Sequence, residues 1–152
     1  MRYLIVVDLQ KEFVKDEEGR RRYEKGLSYI EQMRSRYDCV VAYVYRNNNN
    51  PNMQRLLDWD EIKDPEGLEF KADRTYFHSG YSVQKSLVIS DQDKVDVFGF
   101  DTDACVLATC FKLFDDRCEF NILTHICWSS GGEVMHDAGL NIMRRQFGKA
   151  VL

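Results

Sequence analysis

The sequence predicts an α/β fold: a three-layer α-β-α sandwich around a Rossmann-like, mainly parallel sheet of about five to six strands. Three observations point there. Leu4–Val7 and Cys39–Tyr45 are continuous apolar, β-branched runs, the pattern of strands buried on both faces of a parallel sheet. Between them, Tyr23, Leu27, Ile30, Met33 and Tyr37 recur every three or four residues, as on an amphipathic helix. A strand, a helix and a strand in that order form a βαβ unit, and the pattern resumes after residue 94. The 152 residues, 44% hydrophobic and 30% charged, suit one domain over 1–152, with roughly 70% of the unfolded surface buried.

Element by element, Leu4–Val7 is the first strand and Asp8 closes it. The helix covers residues of about 20 to 36, and Cys39–Tyr45 is the second strand. From Arg46 to Pro65 the chain is irregular, with Asn47–Asn50, Pro51 and Asn52 as a turn-rich loop and Leu56, Leu57 and Trp59 marking a short helix. Gly67–Lys71 reads as a short third strand, then comes a polar, aromatic-rich stretch and a short helix around Val83–Leu87. Val95–Phe100 is a strand, and Ala104–Leu113 a helix entered through Thr102 or Asp103 as N-cap. Phe120–Ile126 is a strand, Gly132–Phe147 a helix, and Lys149–Leu152 a closing strand.

Composition removes several function classes. A formal charge of -4 speaks against nucleic acid, and the one basic cluster, Arg20–Arg22, sits among Glu17, Glu18 and Glu24 as a mixed-charge helix start. The N-terminal apolar run is too short for a signal peptide or membrane span, which predicts a cytoplasmic protein without membrane contact. The five cysteines are odd in number, widely spaced and free of C-x-x-C pairs, so reduced thiols are expected. Small-molecule chemistry remains.

Cys105 is the first candidate for it. It lies at the mouth of a helix directly after a strand, where unpaired amides favour thiolate over thiol. In doubly wound sheets the ligand crevice lies beyond the carboxyl ends of the strands. Asp8 ends the first strand and Lys71 the expected third, so carboxylate, cation and thiol converge with Cys105 on one crevice.

At these residues the chain resembles the isochorismatase-like cysteine hydrolases, the superfamily of nicotinamidases and N-carbamoylsarcosine amidohydrolases. The resemblance rests on Leu4–Gln10 with Phe13, on Lys71 six residues before Phe77, and on Gly99–Val106 with Thr109. It implies Asp8 as general base, Lys71 as the cation and Cys105 as nucleophile, with Lys85 as the alternative lysine. It also implies an oxyanion hole from the backbone N–H groups of Asp101 and Cys105, and a cis peptide between Phe100 and Asp101. Phe13, Arg46, Tyr76, Phe77 and Trp128 are the pocket candidates, with Tyr45 and Trp59 beside them, and a homodimer or homotetramer is the implied assembly. The reaction so implied cleaves a small amide, ureide or related C–N substrate through a thioester. The alternative is a catalytically silent binding or scaffold subunit of the same fold. Nicotinamidases hold a metal through Asp and His in the loop after the second strand. Here that loop carries Asn47–Asn50, and asparagine is a poor ligand for zinc or iron, so no metal and no cofactor are expected.

Overall fold

The computed structural model describes residues 1–47, 50–59 and 67–152. Five strands form one all-parallel sheet in the order β3-β2-β1-β4-β5, with β1 Arg2–Val7, β2 Cys39–Tyr45, β3 Arg74–His78, β4 Lys94–Gly99 and β5 Glu119–Ile122. Helices cover both faces: α1 Glu17–Met33, α2 Asn52–Leu57, α3 Cys105–Asp115 and α4 Glu133–Phe147. The predicted α/β sandwich is thus present. No helix among the described residues is long and apolar enough to cross a membrane.

The central strands follow from their composition. All seven residues of β2 and five of six in β1 are buried, as an interior parallel strand requires. α1 begins earlier than the apolar period alone indicates, because Asp16 caps it by accepting from the Gly19 amide at 2.7 Å. Glu17 and Glu18 then occupy the first turn, where acidic groups suit the helix dipole, and pair with Arg20, Arg21 and Arg22 three and four residues on.

Four segments differ from the sequence reading. The expected strand Phe120–Ile126 ends at Ile122, and a 3-10 turn, Thr124–Ile126, follows it. Gly67–Lys71 is not a strand; pairing with β2 starts where the Asp73 amide donates to Val40 O, and β3 runs from Arg74 to His78. Val83–Leu87 forms no helix, since only Val83 is buried there and polar Ser82, Gln84 and Ser86 interrupt any apolar face. The closing strand reduces to a 3-10 turn, Gly148–Ala150, and an isolated bridge between Val151 and Ile122. Asn48, Asn49 and Pro65, which fall in the expected irregular segment, lie outside the described residues.

Strand order reverses beside β1: the chain adds β2 and β3 on one side, then returns to place β4 on the other. The crevice between the ends of β1 and β4 is therefore the topological switch point. Gly99 makes the close approach possible. Its φ is +145°, and a Cβ there would lie 1.8 Å from Val7 O. Gly99→Ala is expected to cost more than about 4 kcal/mol, the scale of an unavoidable backbone clash. Far-ultraviolet circular dichroism and soluble yield check this; a folded variant of normal melting temperature contradicts it.

Candidate active site

The first residue of the site is Asp8, where β1 ends in a left-handed turn at φ 48°, a conformation that Asp tolerates better than most side chains. Its amide donates to Tyr43 O at 2.9 Å, which holds the turn to β2. The side chain is wholly buried. Oδ1 lies 2.7 Å from His78 Nε2, while Oδ2 has no hydrogen-bond partner; the Cys105 sulfur lies within 4.8 Å of the Asp8–His78 pair, its thiol 3.8 Å from Gly80 O. His78 is the last residue of β3, in register with Tyr45 at the end of β2. Its Nδ1 lies 3.2 Å from Gly80 O, and the Tyr45 ring packs edge-on against the imidazole at 5.5 Å. Gly80 O can only accept, so Nδ1 donates to it, and Nε2 is left for Asp8.

The second half of the site is the turn from Gly99 to Cys105. The Phe100–Asp101 peptide is cis. Thr102 and Asp103, expected as N-caps, are engaged elsewhere: the Thr102 hydroxyl contacts His136 Nδ1 at 2.6 Å, and Asp103 Oδ1 accepts from Ser129 Oγ at 2.6 Å. The N-cap position falls to Ala104, which offers no side-chain bond. The first amides of α3 are thereby left uncapped. Ala104 and Val106 donate to Asp101 O, whereas the amides of Cys105 and Asp101 are taken up by no backbone carbonyl. The Asp101 amide lies close enough to the Cys105 sulfur to favour its charged form. Gly139 of α4 packs on this turn so closely that a Cβ would lie 2.9 Å from Asp103 N.

Electrostatics correct one sequence expectation. Burial pushes the Cys105 thiol well above its ordinary range, the carboxylates of Asp8 and Asp101 add to the rise, and the Asp101 amide only partly opposes them. The helix terminus does not prevail, because desolvation of a thiolate with two carboxylates nearby costs more than the partial charge of one helix end returns. Cys105 therefore rests as a thiol. Burial likewise raises Asp8, against the opposing pull of its His78 bond. A carboxylate made more basic beside a thiol is suited to accept its proton.

Asp101 is pushed up to about 6, chiefly by burial, although its oxygens accept from Ser130 N at 2.7 Å and Ser130 Oγ at 2.6 Å. Because the folded value exceeds the unfolded one, the native state holds this proton longer, and stability falls as pH rises from about 4 to about 6. The shift corresponds to about 3 kcal/mol. Asp101→Asn keeps both acceptor and donor roles without the charge. Its stability should match the parent at pH 4 and exceed it by up to about 3 kcal/mol at pH 8, as read by urea unfolding.

The structure brings together Asp8, Cys105 and the Asp101 amide, and leaves out Lys71. That lysine precedes β3, beyond the amino-terminal end of the strand whose carboxyl end carries His78, exposed, with its carbonyl accepting from Arg34. Seven extended residues, roughly 20 Å, separate it from His78. His78 is the group that sequence reasoning missed, and it stands against Asp8, where a lysine was expected. Lys85 is exposed and lines a cavity of about 480 Å³ with His78, Gly80 and Phe77, but makes no contact with Asp8.

Of the pocket candidates, Phe13 packs edge-on against Tyr45 at 5.7 Å and lines a cavity of about 420 Å³ with Tyr45, Trp59, Glu12, Lys15, Asp58 and Ser130. Arg46 stacks on Phe77 at 4.3 Å beside the other cavity. Tyr76 packs against Tyr43 within the sheet. Trp128 lies behind the site, where its indole donates to Asp16 at 2.9 Å and stacks with Arg22 and His136. Neither of these two reaches the crevice, since their rings are committed to structural partners. Asn47 and Asn50 are spent on loop contacts: Asn47 Oδ1 accepts from Asn50 N, and Asn50 Nδ2 donates to Ser79 O. The described part of that loop therefore does not fit a metal. The described residues do assemble one other ligand set, Asp8, His78 and Cys105.

The architecture is that of the isochorismatase-like hydrolases and nicotinamidases. Solved structures that share it include the pyrazinamidase of Pyrococcus horikoshii in complex with zinc, with a TM-score of 0.76, 19% identity, and 99% of this chain and 96% of that one covered. N-carbamoylsarcosine amidase from Thermoplasma acidophilum superposes with a TM-score of 0.75 and 18% identity over 99% and 94% of the two chains. An isochorismatase-like hydrolase from Alkaliphilus metalliredigens gives 0.73 and 18% over 95% and 91%. At these identities the shared property is the fold. No protein-family model matches the chain, and no curated protein sequence matches it.

Proposed function

We propose that this chain is a cysteine hydrolase of small amides, ureides or related C–N substrates, working through a thioester and needing no metal for any step. The observation that carries this reading is the buried cluster itself: Asp8, whose Oδ2 is unpartnered, His78 and Cys105 present polar atoms within 4.8 Å of one another, and burial keeps the thiol protonated. The fold it shares with an N-carbamoylsarcosine amidase and a pyrazinamidase supports the same class.

In the proposed reaction, Oδ2 accepts the Cys105 proton as the sulfur attacks the substrate carbonyl. His78 holds Oδ1 and, tied by Nδ1 to Gly80 O, keeps the carboxylate oriented. The oxyanion is received by the Cys105 and Asp101 amides, a pair of donors of the kind worth about 2.7 to 4 kcal/mol each in acyl transfer. Asp8 returns the proton to the leaving nitrogen, which departs as amine or ammonia. Water, deprotonated by Asp8, then cleaves the thioester to a carboxylic acid or carbamate. The cavity bounded by Phe13, Tyr45 and Trp59 would seat a small planar substrate, with Glu12, Lys15 and Asp58 supplying charge at its wall.

The test is a screen of small amides, ureides and carbamoyl compounds for ammonia or amine release, repeated with Cys105→Ala. Turnover lost in that variant supports the reading. Turnover that persists in it, or ligand binding without acylation of Cys105 by any carbonyl compound, favours the scaffold alternative.

A further inference from the structure

We propose that Asp8, His78 and Cys105 also form a binding site for a thiophilic divalent cation, Zn²⁺ foremost, and that its occupation switches the hydrolase off by capturing the nucleophilic sulfur. The regulatory consequence rests on the thiol-hydrolase reading; the binding site itself does not.

One ligand atom from each of the three residues lies within 4.8 Å of the other two, and all three residues are buried. Tetrahedral zinc, with bonds of about 2.0 to 2.3 Å, needs separations of about 3.3 to 3.6 Å between its ligand atoms. The widest gap must therefore close by roughly 1 to 1.5 Å, within reach of side-chain torsions, while the 2.7 Å Asp8–His78 contact opens slightly. Two further observations point to a cation. Asp8 Oδ2 is buried and has no hydrogen-bond partner. His78 Nδ1 is anchored to a backbone carbonyl, the outer contact that metal-bound imidazoles characteristically make, which leaves Nε2 directed at Asp8.

A lysine at the position of His78 would supply charge without a lone pair. Histidine supplies either: a hydrogen bond to Asp8 when the site is metal-free, or a neutral ligand when it is filled. On binding, Zn–O, Zn–N and Zn–S bonds form, and the thiol proton of Cys105 and the proton between His78 Nε2 and Asp8 Oδ1 leave to solvent. Two protons give way to one dication, so the net charge of the buried set is unchanged. A thiolate and an imidazole select Zn²⁺ or Co²⁺ over the hard cations Mg²⁺ and Ca²⁺. Among the described residues no other His, Cys, Asp and Glu cluster of three competes.

The experiment is titration of the metal-free full chain with Co²⁺, followed by displacement with Zn²⁺ and by iodoacetamide labelling of Cys105 located by peptide mass. One equivalent of Co²⁺ should produce a near-ultraviolet sulfur-to-cobalt charge-transfer band that Zn²⁺ displaces and Mg²⁺ does not, and Zn²⁺ should slow Cys105 labelling more than tenfold. Cys105→Ser should lose the band. His78→Lys and His78→Gln should weaken binding by more than the roughly 100-fold that loss of a supporting contact causes. Absence of the band, its survival in Cys105→Ser, displacement by Mg²⁺ or unprotected Cys105 overturns the proposal. Asp8-dependent acylation of the metal-free protein without the band leaves the hydrolase reading standing and removes the metal site. The band with protection, but no acylation, does the reverse.

Discussion

Asp8→Asn is expected to lower turnover of a small amide by about 10²- to 10⁴-fold, the range supplied by a positioned general base. The amide side chain can still occupy the pocket and contact His78, but its nitrogen has no means of accepting a proton from sulfur. The effect should fall on kcat and on kcat/KM alike, because the lost interaction belongs to the transition state. Stability at neutral pH should change far less than activity, since the Asn oxygen can still accept from His78 Nε2–H and the buried carboxylate is gone. Steady-state kinetics beside urea unfolding read both effects. A fall in activity with an equal fall in stability would instead assign Asp8 a structural role.

His78→Ala is expected to be the most destabilising change in the site. It leaves Asp8 wholly buried with neither oxygen bonded to nitrogen, and breaking a buried pair by removing one partner costs about 3 to 5 kcal/mol. The loss should be full at pH 8 and smaller at pH 5, because Asp8 without its partner escapes the penalty by taking a proton. That proton also removes the base, so activity should fall with the carboxylate's titration and not merely with the folded fraction. Unfolding curves at the two pH values check the first point. Activity at pH 8 corrected for the folded fraction checks the second.

The parts of this site that the sequence disclosed are those attached to interior strands. Asp8 and Cys105 follow β1 and β4, whose apolar runs are unmistakable, and the helix after β4 follows at once. His78 was hidden for a physical reason. β3 is an edge strand with only one buried residue of five, so Arg74–Phe77 carry no apolar run, and the short Gly67–Lys71 stretch appeared the better strand. Moving the strand by seven residues exchanges lysine for histidine at its carboxyl end. Thr75, Tyr76 and Phe77, β-branched and aromatic in succession, were the signal that would have located it. The thiol's environment was not legible either. A helix N-terminus can be read from sequence, whereas the burial that outweighs it depends on how Asp8, Asp101 and Tyr45 close around the sulfur.

The central claim is that Asp8 activates Cys105 for acyl transfer. Its most direct measurement is the rate at which a small activated acyl donor labels Cys105 in chelator-treated protein, followed by intact mass and located by peptide mass, in the parent chain and in Asp8→Asn. A hydroxylamine-sensitive acyl group should form on Cys105 at least about 100-fold faster in the parent than in the variant. Equal rates in the two proteins, or an acyl group on Cys39, Cys110, Cys118 or Cys127 in preference to Cys105, would contradict it.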